Sequence, residues 1–288
     1  MTGRATGLRI ADTLTLPLEA VTETFAVLAR RGMGKTNLAV VITEELVAAG
    51  LPVVVIDPVG VWWGLRSSAD GSSAGIPVVI FGGDHADLPL EAGSGEIVAR
   101  AIVEHRFSSV IDLSGMRKSA MRRFCTDLVE TLYRLNREPL HVVVDEADLL
   151  APQARAMGDA APLLGAMEDL VRRGRARGIG CTLITQRPAV LHKDVLSQAG
   201  ALVALGMTSP RDVAAIDEWV RLHADDGEAR TLKASLPSVN FPALLDGAWR
   251  PRVWGASRSD PTTGCSGSGC IVGRVTVGLA FAGPLRWC

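Results

Sequence analysis

A doubly wound α/β fold, with a mostly parallel sheet flanked by helices, follows from three observations on the 288-residue sequence. Short apolar runs rich in Val, Ile and Leu alternate with longer helical stretches, the pattern of strands buried on both faces. One run leads directly into a glycine-containing turn that opens a helix. Another ends in two adjacent carboxylates.

Taken in order, strands are expected at Thr24–Ala29, Val53–Asp57, 78–81, 109–113, 141–145, 181–186 and 201–206. Helices are expected between them at 36–49, 95–104, 118–136, 161–177 and 210–220, with Gly50 stopping the first. An alternating β-α order demands crossover connections, hence a parallel sheet. Residues 67–75 are rich in Ser, Gly and Ala and read as a loop. From about residue 255 the composition shifts to Gly, Ser, Thr and Cys. The chain therefore divides into a main domain over 1–254 and an atypical tail over 255–288.

Composition narrows the classes further. Hydrophobic residues make up 48% and charged residues 21%, which supports a large core and excludes an intrinsically disordered chain. Aromatics are only 5%, so that core is aliphatic. The net charge of −1 and pI of about 6.5 mean that any nucleic-acid contact must come from a local basic cluster. The N-terminus, Met1-Thr2-Gly3-Arg4, is not followed by an apolar segment. The most apolar stretch, 38–56, is broken by Thr43-Glu44-Glu45, so a cytoplasmic chain without a membrane segment is expected. Cys125 and Cys181 fall in an expected helix and strand, while Cys265, Cys270 and Cys288 lie in the tail without zinc-type spacing. His85, His105, His141, His192 and His223 are scattered, so no metal beyond nucleotide-bound Mg²⁺ is indicated.

The glycine turn is Ala29-Arg30-Arg31-Gly32-Met33-Gly34-Lys35-Thr36, set between a strand and a helix as a Walker A motif requires. Gly32 and Gly34 let the backbone curl so that its N–H groups face the phosphates of ATP, and the helix adds its positive end. Lys35 supplies charge to the β- and γ-phosphates, and the Thr36 hydroxyl ligates Mg²⁺. The first position is Ala29 where the motif usually has glycine. The second strand, His141-Val142-Val143-Val144-Asp145-Glu146, has the Walker B arrangement. Asp145 is expected to hold Mg²⁺, and Glu146 to polarise the attacking water. Asp148 is read as a helix-starting acid.

Further on come Gly174-Arg175-Ala176-Arg177-Gly178-Ile179-Gly180, then Cys181-Thr182-Leu183-Ile184-Thr185-Gln186-Arg187-Pro188, then Val195-Leu196-Ser197-Gln198. With Val144-Asp145-Glu146-Ala147-Asp148 and Asp57-Pro58, these segments resemble the HerA/FtsK superfamily of hexameric DNA-pumping ATPases, on the HerA side. The likeness runs from about Leu8 to about Trp249. It implies a RecA-like P-loop fold of the additional-strand type, with 1–254 as the ATPase domain. It also implies that Gln186 senses the γ-phosphate and that Arg175 is a finger reaching a neighbouring subunit's ATP. Arg177 is a second candidate for the finger, and a solvated basic helix end is the plain alternative for both. HerA-like proteins often carry a β-barrel before the ATPase core, which is expected to be absent from this sequence. The resemblance further implies a homo-hexamer, duplex DNA bound without sequence preference, and a nuclease or other effector partner in DNA-end processing or phage defence. A nucleotide-controlled scaffold for an effector, without DNA pumping, is the rival reading. Candidate DNA contacts are Arg117, Lys118, Arg122 and Arg123, and also Arg172-Arg173. Trp62-Trp63 reads as core or subunit contact.

Overall fold

A computed structural model describes residues 7–11, 14–68, 71–154, 157–158, 160–223 and 279–281. Cys265, Cys270 and Cys288, and the tail apart from 279–281, lie outside the described residues. A hairpin, β1 (Leu8–Ala11) and β2 (Leu14–Leu16), comes first, followed by a 3₁₀ turn at Leu18–Thr22. The main run is then β3 (Thr24–Ala29), α1 (Lys35–Ala48), β4 (Val53–Asp57), β5 (Val79–Phe81), α2 (Gly95–His105) and β6 (Ser109–Asp112). It continues with α3 (Lys118–Leu135), β7 (Leu140–Val144), α4 (Ala160–Arg173), β8 (Ile179–Thr185), α5 (Lys193–Leu196), β9 (Ala201–Leu205) and α6 (Pro210–His223). Finally, β10 (Leu279–Phe281) lies antiparallel on β9.

The sheet order is β10-β9-β3-β8-β7-β4-β6-β5, and every pairing except β10 with β9 is parallel. All seven strands expected from the sequence are present. The significant placement is β8, which sits between β3 and β7. That inserted strand is the mark of the additional-strand P-loop fold, and it sets Gln186 between the two motif loops.

Strand alternation explains why helices cover both faces. Along β3, Ala26 and Leu28 join one core with Phe124, Leu128, Leu163 and Met167 of α3 and α4. Phe25, Val27 and Ala29 join the other with Leu38, Ile42 and Leu46 of α1 and with Leu8, Ile10 and Leu16 of the hairpin. The hairpin was not foreseen: its strands are too short to show a period, and the Arg9 N–H is donated to Glu45 of α1 at 2.7 Å. The single helix expected over 161–177 ends as α-helix at Arg173 and tightens to 3₁₀ over Gly174–Arg177. Gly178 stops it at a φ of 74°, where a Cβ would meet the Glu138 carbonyl. Cys125 and Cys181 are buried, and burial raises both thiols, that of Cys125 to about 12.

His141 is a buried polar link between β7 and its surroundings. Its Nδ1 donates to the Val21 carbonyl at 2.7 Å, so Nε2 accepts the Thr182 hydroxyl, also at 2.7 Å. Burial lowers its pKa to about 4. The unfolded chain thus binds a proton near pH 6.5 that the folded chain refuses until about pH 4. Stability from this group is complete above pH 6.5 and falls as pH drops toward 4, by up to about 3 kcal/mol. The difference in urea unfolding free energy between the wild type and His141→Gln, followed from pH 7 to 4.5, is expected to show that slope. A difference independent of pH would refute it.

Candidate nucleotide site

Because β3, β8 and β7 run parallel, their C-terminal ends meet at one edge of the sheet. At the end of β3 the chain turns through Arg30-Arg31-Gly32-Met33-Gly34 into α1. Gly32 and Gly34 have φ of 83° and 86°, a region that L side chains resist, so the curl depends on glycine. A Cβ at Gly32 would meet nothing within 4 Å, which makes the backbone angle, not crowding, the constraint there. No side chain among the described residues caps the N-terminus of α1, leaving its first N–H groups facing the turn. Ala29 is fully buried, so the first motif position serves as core without a glycine, while Arg30 and Arg31 are exposed.

Lys35, the first residue of α1, points back across this edge. Its Nζ lies 3.7 Å from Glu146 Oε1, and both side chains are largely shielded, at 12% and 19% exposure. The same Glu146 oxygen accepts the Gln186 side-chain amide. Lys35, Glu146 and Gln186, carried by three different segments, therefore converge on one point. Gln186 is held by its neighbours: the Thr185 hydroxyl donates to Asp148 at 2.6 Å and accepts the Arg187 N–H at 3.0 Å. Asp148 thereby braces the end of β8, a role that sequence spacing did not reveal.

Glu146 has a left-handed backbone, φ 44° and ψ 52°, one of two non-glycine residues with positive φ among those described. Such a conformation costs roughly 1–2 kcal/mol, and strain of this kind gathers where a side chain must be aimed. Its N–H is donated to Asp145 Oδ1 at 2.9 Å.

Asp145 is buried and its Oδ2 accepts the Trp62 indole N–H at 2.9 Å. Burial pushes the Asp145 carboxyl above its ordinary range, opposed by the Trp62 bond and the Lys35 charge. Trp62 is positioned in turn by Asp57 at the end of β4. The Asp57 carboxylate accepts four backbone N–H groups, from Val59, Gly60, Val61 and Trp62, at 2.7–2.9 Å. The sequence marked Asp57-Pro58 by resemblance and Trp62 as core or subunit contact. The structure gives Trp62 a second task, because it is both core and hydrogen-bond donor to Asp145. Thr36 follows Lys35 in the first turn of α1, half-buried. A hydroxyl and a carboxylate are hard oxygen donors, the set that suits Mg²⁺.

Arg175 is not brought to this edge. It precedes β8, at the opposite end of a seven-residue strand and so about 20 Å from Gln186. There its guanidinium pairs with Glu23 at 2.7 Å while remaining 58% exposed. Arg177 lies over the Tyr133 ring, 5.3 Å from its centroid. Neither Arg reaches its own chain's phosphate turn. The two basic clusters also separate. Arg117, Lys118, Arg122 and Arg123 begin α3 on the phosphate-site edge, whereas Arg172 and Arg173 end α4 on the other.

The inserted strand and the glycine turn opening onto α1 define the class: a P-loop ATPase of the additional-strand type. Comparison with known sequences narrows it. Residues 9–69 match the family described as the central domain of helicase HerA, and residues 126–233 the family described as helicase HerA-like C-terminal. The chain is a HerA-like P-loop ATPase.

It is 36% identical over 123 residues to the DNA double-strand break repair helicase HerA of Pyrococcus furiosus, covering 43% of this chain and 21% of that protein. It is 34% identical over 135 residues to the probable DNA double-strand break repair helicase HerA of Methanocaldococcus jannaschii, covering 43% and 26%. The chain thus matches only about a quarter of the length of these curated relatives. Among solved structures, VirB4 of Thermoanaerobacter pseudethanolicus superposes with a TM-score of 0.51 at 14% identity, covering 80% of this chain and 91% of that one. The genome packaging NTPase B204 of Sulfolobus turreted icosahedral virus 2 gives 0.50 at 12% identity, covering 76% and 88%. At such identities the likeness concerns the fold. No helix among the described residues is long and apolar enough to cross a membrane.

Proposed function

We propose that this chain hydrolyses ATP and, as a ring of identical subunits, converts the hydrolysis into movement along duplex DNA. The observation that carries the reading is the convergence of Lys35, Glu146 and Gln186 beside the uncapped N-terminus of α1. The DNA substrate is inferred from family membership and from relatives named as DNA repair helicases.

In this reading the backbone of 30–34 and the α1 N-terminus cradle the phosphates, and Lys35 neutralises their charge. Substrate phosphate competes with Glu146 for Lys35, which releases the glutamate to take a proton from the attacking water. Thr36 and Asp145 would hold Mg²⁺, which supplies charge neutralisation on the phosphate oxygens. Gln186, already donating to Glu146, exchanges that acceptor for the γ-phosphate and passes its loss to β8 and the 187–192 turn. Arg175, on the far edge and exposed, would act on a neighbouring subunit's nucleotide, where a trans guanidinium is worth about 10³–10⁵ in rate. A nuclease or other effector partner belongs to the same proposal by family resemblance.

For DNA, the α3 cluster is the better candidate. Arg117, Lys118 and Arg123 are exposed and form no ion pair among the described residues, whereas Arg172 and Arg173 face Asp194 and Asp169 at 3.6 and 3.5 Å. A ring multiplies these few charges, and each phosphate neutralised steepens the salt dependence of binding by about 0.9.

The deciding experiment is the ATPase rate with and without linear duplex DNA, with Glu146→Gln as control. Several-fold stimulation, lost in the variant, is expected. A rate that needs Glu146 but ignores DNA would keep the ATPase and replace the motor with a nucleotide-controlled scaffold for an effector.

A further inference from the structure

Away from the nucleotide site, three side chains from two segments point at one another. Glu168 lies on α4, while His192 and Asp194 flank the start of α5, and one potential ligand atom from each lies within 4.8 Å of the others. We propose that Glu168, His192 and Asp194 bind a divalent transition-metal ion of the zinc type.

The donor set fits that class. One imidazole and two carboxylates are borderline ligands that zinc accepts, and they are a poor match to Mg²⁺, which prefers oxygen alone. Spacing agrees as well. His192 Nδ1 and Glu168 Oε1 are 3.5 Å apart. Bonds of about 2.0–2.1 Å at tetrahedral angles set ligand atoms about 3.3 Å apart. Two ligands are therefore already near the required separation, and a small rotation of the exposed Asp194 supplies the third. A fourth position stays open to water.

The imidazole supports the same reading. His192 Nδ1 is shielded from solvent although the side chain is 21% exposed, and among the described residues it makes no hydrogen bond, its Glu168 contact at 3.5 Å being longer than an ordinary one. A shielded ring nitrogen left with only a long contact is poorly satisfied, and a bound cation would satisfy it. Its neighbour, Glu168, is only 27% exposed. Asp194 faces Arg172 at 3.6 Å, but both are well exposed, and such a pair contributes little that a divalent ion would not outcompete. Sequence spacing hid the cluster, because Glu168 is 24 positions before His192 and on a different element.

The ion would pin α4 to the segment that follows Gln186. Resting on the reading of Gln186 given above, this would link the phosphate-sensing strand to the helix that leads into Arg175. Binding itself is testable without that reading.

The full chain, stripped of metal and kept in excess Mg²⁺, would be titrated with Zn²⁺ against a chromophoric chelator, and separately with Co²⁺. One equivalent is expected whose affinity falls at least about tenfold in His192→Ala and in Asp194→Asn. Asp194 is 59% exposed, so its variant keeps the fold even if His192→Ala does not. The Co²⁺ form of this site is expected to lack thiolate charge-transfer absorption, which separates it from any site built on Cys265, Cys270 or Cys288. The absence of a stoichiometric ion, or an equivalent that survives Asp194→Asn or carries thiolate absorption, would overturn the proposal. Loss of the ion with unchanged DNA-stimulated ATPase would leave the site standing and remove its link to Gln186.

Discussion

Glu146→Gln is expected to lower ATP turnover by about 10²–10⁴ while leaving ATP binding intact. The substitution keeps the shape and an oxygen that can accept the Gln186 amide, so the local hydrogen bond survives. It removes the negative charge 3.7 Å from Lys35 and the basicity needed to take a proton from water. Lys35, freed of its counter-ion, has more charge to offer the substrate, so affinity should hold or rise. Backbone strain supports the assignment. A purely structural residue at a φ of 44° would be expected to be glycine, yet a long carboxylate is kept there. Single-turnover hydrolysis and equilibrium binding of ATP, measured together, decide the matter. An undiminished rate would remove Glu146 from the chemistry. Parallel loss of binding and turnover would mean that the substitution had displaced Lys35 instead.

What the sequence made legible here is what short-range patterns encode. The Thr24–Ala29 run, the glycine spacing and the acid pair after β7 are each written within a few residues, and the parallel order follows from alternation. Gln186 was legible only through resemblance, since one amide after a strand has no pattern of its own. Contacts between distant segments were not legible. Trp62 lies 83 positions from Asp145, and no local rule says that its indole N–H ends on that carboxylate. His141, in the sequence only one of five scattered histidines, is buried because it faces the 3₁₀ turn before β3, a pairing set by topology. Arg175 shows the converse. Its motif was recognisable, but only the structure places it on the far edge beside Glu23.

Asp57→Ala is expected to destabilise the fold by about 4 kcal/mol, more than any exposed carboxylate in the chain. Four backbone N–H groups lose their acceptor at once. An unpaired buried donor costs about 1–3 kcal/mol, but Val59 and Val61 are half exposed, so water can serve part of the turn. The bond from Trp62, in the core, cannot be replaced that way. Damage should therefore travel along one path: the 59–62 turn loosens, Trp62 shifts, and Asp145 loses the donor that holds its Oδ2. Trp62→Phe separates the two ends of that path. It keeps the aromatic packing and the turn, yet removes the bond to Asp145, so its stability loss should be near 1–3 kcal/mol. In both variants the Mg²⁺ concentration needed for half-maximal ATP hydrolysis should rise, because Asp145 is no longer held in place. Urea midpoints and Mg²⁺ titrations of the two variants test this directly. A destabilised Asp57→Ala protein with an unchanged Mg²⁺ requirement would confine Asp57 to folding the turn and cut its connection to the nucleotide site.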